Sequence, residues 1–240
     1  MRILLVIIVL YMPFVQANTN TTITLTSDYI LYGVSMSGSS PAFQLGVEKS
    51  FDEGVYMGVW TSKNTFFSAP SLSVDQEVDL YLGYSWQYTS HLVLDTGFTH
   101  YRFLTPSLST AIEYNEAYFA LTHNDYTYRL ACSADFPGYD PDQAVSHCIV
   151  GVNYTLASLF DFIDVEMSVN YSHSFSQKNS PWTESNDAFG DESQGYWHAG
   201  LYVSKTIGRG AYVFSLEDTS LNTFIVSTGL KTSFSASYHF

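Results

Sequence analysis

Charge is scarce in this 240-residue chain, and positive charge scarcer still: 13% of residues are charged, with nine Lys or Arg against 23 Asp or Glu and a formal net charge of −14. An excess of acid repels phosphates, so nucleic acid is excluded as a partner. Cysteine stops at two, Cys132 and Cys148, and their neighbours offer no zinc spacing. No regular calcium-loop spacing occurs either. Beyond the first residues no apolar run approaches the roughly 20 residues of a membrane-spanning helix, and helical periodicity persists nowhere. These absences leave an all-β chain for which no cofactor and no metal is expected.

The first 17 residues are apolar apart from Arg2 and Gln16, broken at Pro13 and closed by Val15-Gln16-Ala17. That is the pattern of a secretory signal peptide, with residues 1–17 removed and 18–240 forming one domain. An N-terminal anchor helix is the alternative, but the apolar run is short for a span. An exported chain with 19 Tyr and 17 Phe needs an apolar environment for its rings. A soluble β-sandwich core provides one; lipid around a closed barrel provides another.

Two-residue alternation runs almost throughout. Val78, Leu80, Leu82, Tyr84 and Trp86 interleave with Glu77, Asp79, Tyr81, Gly83 and Ser85, and Ile163 to Tyr171 repeats the pattern against Asp164, Glu166, Ser168 and Asn170. The pattern predicts twelve strands, at about 22–34, 42–51, 54–62, 75–87, 91–103, 111–123, 126–134, 145–157, 161–175, 194–206, 210–218 and 223–240. Short and long connections alternate between them. A sandwich has no reason to keep that order, whereas an outer-membrane barrel puts short turns in the periplasm and longer loops outside. The expected fold is a closed antiparallel transmembrane β-barrel in the bacterial outer membrane, with lipid as its surroundings.

Several segments resemble the TorF-type porin family of Gram-negative outer-membrane proteins. They are Ser27-Asp28-Tyr29 with Gly33-Val34-Ser35-Met36-Ser37, then Pro41 to Gln44, Gly54 to Trp60, Glu77 to Tyr84, Trp197 to Gly200 and Ser215 to Thr219. That family often has Arg just before the glycine of the opening motif, where this chain has Tyr32. The resemblance implies a barrel with porin-like transport of small solutes. The ending Tyr238-His239-Phe240 also resembles the terminal signal read by the bacterial barrel-assembly machinery, which would make Tyr238 and Phe240 an assembly tag.

With apolar faces toward lipid, the polar sets turn to the lumen: Gln44, Glu48, Glu77, Asp79, Asp95, Glu116, Arg129, Asp164, Glu166 and Lys231 are the candidate pore lining. Acids exceed bases there, so small cations or neutral solutes should pass more readily than anions. The alternative is that these charges pair with one another and with tyrosines to fill the barrel, leaving a structural or adhesive protein. The acids Glu184, Asp187, Asp191 and Glu192, with Asp135, Asp140 and Asp142, form either solvated loops or a cation site. Trp60, Trp86, Trp197, Tyr29, Tyr84, Tyr154, Tyr171, Tyr238 and Phe240 sit mainly where interfacial girdles are expected.

Cys132 and Cys148 flank Asp140 symmetrically, so a hairpin centred there would set them face to face, bonded or as two free thiols. The seven histidines are scattered. His147 and His173 could approach Asp135 and serines near the outer end, but no motif joins them, and no enzymatic activity is expected.

Overall fold

A computed structural model of the protein describes residues 17–65, 74–104, 111–137, 144–159, 163–175, 194–221 and 229–240. The first 16 residues, the acids of 184–192 and Asp140 and Asp142 lie outside these. Twelve antiparallel strands close into a barrel: β1 (Ala17–Thr26), β4 (Ala42–Phe51), β5 (Val55–Lys63), β6 (Gln76–Thr89), β7 (Leu92–Leu104), β8 (Ala111–His123), β9 (Tyr126–Pro137), β10 (Ala144–Leu159), β11 (Ile163–Ser174), β12 (Gly195–Ile207), β13 (Gly210–Thr219) and β14 (Lys231–His239). Each pairs with its neighbour in sequence, and β1 closes the ring on β14 from Thr22↔His239 to Thr26↔Ser235. Two short strands, β2 (Ile30–Leu31) and β3 (Val34–Ser35), form a separate hairpin.

One expectation changes at the seam. The first strand begins at 17 and stops at Thr26, so residues 27–34, expected to continue it, instead lead into the hairpin. The last strand is described from Lys231, and residues 223–228, expected to open it, lie outside the described residues.

Alternation sets the two faces. Leu80, Leu82, Leu130, Val150, Phe214 and Phe234 are about half exposed on the outer surface, an arrangement that suits hydrocarbon and leaves no backbone group unsatisfied within it. Aromatic pairs mark both ends of this surface. Trp86–Tyr88 and Tyr126–Tyr154 lie beside the short turns, and Tyr171–Trp197 beside a long link. Trp60 and Tyr29 belong to neither girdle. Trp60 shares the inward side with Asp79, and the Tyr29 ring meets it edge-on at 5.4 Å inside the barrel.

Many inward tyrosines lie flat against the wall because the adjacent strand presents glycine. Tyr81 covers Gly58, Tyr56 covers Gly83 and Tyr118 covers Gly97, each across one ladder. Glycine in a strand gives up packing, and here the space goes to a neighbouring ring. A Cβ on Gly97 would stand 2.6 Å from the Tyr118 ring and 2.8 Å from the Leu82 carbonyl oxygen, which cannot swing away. Gly97→Ala is expected to cost about 1–3 kcal/mol in a denaturant titration. Gly46→Ala, whose nearest neighbour would be Trp60 at 3.4 Å, should cost less, and equal losses would contradict the packing argument.

Cys132 and Cys148 are direct cross-strand partners and form a disulfide, with Cα atoms 4.1 Å apart. Their alternation places the bridge on the outer face, at the end of β9 and β10 nearer the long links. Closing the intervening loop constrains the unfolded chain by roughly 3 kcal/mol in the chain-entropy model. Mobility on a denaturing gel should fall when the protein is reduced, and unchanged mobility would mean free thiols.

Candidate functional site

The interior is divided by the hairpin. At its base, Ser35 and Ser37 both donate to Asp28 Oδ1, at 2.6 and 2.8 Å, and the Ser37 hydroxyl accepts the Tyr29 amide at 2.9 Å. Asp28 is buried, so its charge depends on these donors. At the tip, Tyr32 and Gly33 take φ values of +49° and +75°, the two left-handed residues that a tight two-residue turn demands.

The hairpin turns into the barrel. Val34 and Met36 are buried with Phe103, Tyr114, Phe136 and Tyr196, at the end of the barrel where the long links emerge. Burial of such side chains is worth about 1.5–3 kcal/mol each, so the hairpin is seated by apolar packing as well as by Asp28. Tyr114 stacks on Tyr101 at 4.4 Å and leans on Phe136 at 4.8 Å. A cavity of about 520 Å³ remains against the tip, with Glu77, Glu116, Arg129, Glu166, His198 and Glu217 on its walls.

The ten polar residues singled out in the sequence occupy different settings. Asp95 accepts Tyr56 at 2.8 Å and Tyr118 at 2.5 Å, and the two phenol groups bond each other. Glu48 accepts Tyr81 at 3.2 Å and Ser50 at 3.1 Å; Gln44 donates to Ser62 at 3.3 Å. Arg129 donates to Glu116 at 3.5 Å and lies over the Tyr118 ring at 4.3 Å, while Tyr101 also donates to Glu116. Glu77 is buried and accepts Asn64 at 2.8 Å; Asp79 is buried beside it with Oδ1 unbonded. Glu166 accepts Asn153 at 3.1 Å. Lys231 is buried opposite Glu217 in the β13–β14 register, and Asp164 is exposed near the short-turn rim.

Sequence reasoning missed Glu217 and the hairpin. Glu217 accepts His198 Nε2–H at 3.1 Å, while the other ring nitrogen faces the Asn170 amide at 3.3 Å. The alternation of Phe214 and Leu216 with Ser215 and Glu217 carried the signal for the first. His147 also faces inward, bonded to Ser172 Oγ at 2.7 Å. Asp135 instead accepts the Asn115 amide groups at 2.9 and 2.6 Å and Ser133 at 3.0 Å. Asn115 and its partner His100 belong to the outer face.

Residues 15–204 match the family described as "Bacterial protein of unknown function (Gcw_chp)". The chain belongs to this family. No curated protein matches it in sequence. Among solved structures it is similar to the KdgM porin, with a TM-score of 0.54 at 8% identity over 92% of this chain and 99% of that one. The NanC porin gives 0.53 at 10% identity, covering 93% and 99%. The KdgM porin in complex with disordered oligogalacturonate gives 0.51 at 8%, covering 94% and 99%. The shared feature is the fold, a closed barrel of the outer-membrane porin type.

The Asp28 anchor can be tested directly. Hydrogen bonds to a charged group contribute about 1.5–3 kcal/mol, so Asp28→Ala should raise hairpin opening by roughly ten- to a hundredfold. Chymotrypsin should then cut after Tyr29, Leu31 or Tyr32 under conditions that leave the parent chain whole. Equal resistance would show that apolar seating alone holds the hairpin.

Proposed function

We propose that this protein is an outer-membrane channel for passive diffusion of small hydrophilic solutes, with a mild preference for cations. The observation that carries the reading is the acid-lined cavity inside a porin-type barrel. Glu48, Glu77, Asp79, Asp95, Glu116, Glu166 and Glu217 face the interior against Arg129 and Lys231. Fixed charge of one sign in a narrow passage enriches the opposite ion.

The sign of that charge separates this chain from the relative whose structure holds oligogalacturonate. A polyanion would meet repulsion here, so the shared barrel does not bring a shared solute. Outward-facing Tyr238 and Phe240, with rings 4.8 Å apart on the closing strand, are available to the barrel-assembly machinery, and residues 1–17 would direct export. The assembled barrel then needs lipid but no cofactor, and it acts without catalysis.

A second reading has an observation of its own. The apolar cluster around Val34, Phe103 and Phe136 fills the long-link end of the interior, which favours a non-conducting structural or adhesive barrel.

Planar bilayers with a salt gradient separate the two. Folded protein should give channel events with a cation-directed reversal potential. Glu166→Gln should lower the cation-over-anion permeability ratio roughly two- to fivefold, as expected for one charge contributing on the order of 0.5–1 kcal/mol along a wet path. Silence from folded protein would refute the channel, and an anion-directed potential would refute the acidic lining.

A further inference from the structure

We propose that the Tyr32 side chain is the constriction of this barrel, setting the size limit of what passes. The inference rests on the channel reading above and adds the element that filters.

Three observations converge on this ring. The first is its position. Tyr32 stands at the hairpin tip, with its ring 6.1 Å from the His198 ring on β12, and it lines the same cavity as Arg129 on β9. One side chain therefore shares the cavity with two separate stretches of wall.

The second is the way the tip is held. A Cβ on Gly33 would come within 2.9 Å of Thr219 Cβ, 3.0 Å of the His198 ring and 3.3 Å of the Asp218 carbonyl oxygen. The backbone of the tip is thus pressed against β12 and β13, while Asp28 fixes the base of the hairpin. Tyr32 itself has a positive φ, uncommon for any residue other than glycine and rarer for a bulky one. The chain adopts a strained backbone at the residue that shares the cavity with both stretches of wall.

The third is contrast with the other interior rings. Tyr56, Tyr81 and Tyr118 lie over Gly83, Gly58 and Gly97, flat on the wall. Tyr32 enters from the hairpin instead and lines the cavity. Of these four rings it is the one that does so.

The test uses the full chain with Tyr32→Ala and Tyr32→Phe, each confirmed as folded by its heat-modifiable gel mobility, in bilayers and in liposomes swollen with uncharged sugars of increasing size. Tyr32→Ala should raise single-channel conductance by about twofold or more and admit larger sugars, because the narrowest ring is gone. Tyr32→Phe, which keeps the ring, should keep the parental conductance and size limit. A folded Tyr32→Ala with unchanged conductance and size limit overturns the proposal. A silent parent beside a conducting Tyr32→Ala would uphold the constriction while refuting an open parental channel; silence from both would refute the two together.

Discussion

Closure is the constraint on which everything else in this molecule depends. A strand in hydrocarbon with an unpaired edge leaves a row of backbone groups without partners, each costing several kcal/mol. The β1–β14 ladder removes both edges at once, five residue pairs long from Thr22↔His239 to Thr26↔Ser235. Once the ring is closed, alternation has only two destinations. Every apolar set must go out and every polar set must go in, so the lumen inherits whatever chemistry the second set contains.

What it contains is acid, tyrosine and glycine, and their combination explains the interior. Carboxylates brought into a narrow space lose water and need donors. Here tyrosine hydroxyls supply several of them: Tyr56 and Tyr118 to Asp95, Tyr81 to Glu48, Tyr101 to Glu116. A tyrosine can reach such an acid along the wall only if something lets its ring lie down, and cross-strand glycine does so. The same ladder thus provides donor, acceptor and clearance. Toward the long links the hairpin adds apolar packing, so the interior is lined by two different devices.

The faces of the strands were legible from period-two alternation, which fixes a side for each residue once one side is known. Positions along the axis were less so. Residues 29–32, Tyr-Ile-Leu-Tyr, are strand-formers and read as the continuation of β1. Ile30–Leu31 do form a strand, but one that pairs with Val34–Ser35 instead of the wall. Local propensity says how a segment is extended, not which way it turns after Asp28. Asn18 to Asn20 gave no start signal because polar residues occupy both faces there. Trp60 and Tyr29 were assigned to girdles because an aromatic near a strand end satisfies lipid and lumen equally; only the contact between them decides. Glu217 had the right period but one acid in a short strand drew no notice, since its partner His198 lies on another strand.

The charge balance of the interior then limits what can occupy it. Arg129 is committed to Glu116, and His198 donates to Glu217. Tyrosine and asparagine bonds satisfy lone pairs on Glu48, Asp95 and Glu166, yet a neutral donor leaves the formal charge where it was. Seven inward acids facing two bases therefore retain a net negative potential even with these hydrogen bonds in place. Charges a few ångströms apart in a partly dry cavity interact several times more strongly than in bulk water. The stable ways to meet that potential are protonation of some acids or entry of cations from solution. Protonation neutralises some of these acids and cations offset the rest, a demand that traces to the shortage of Lys and Arg that first set this sequence apart.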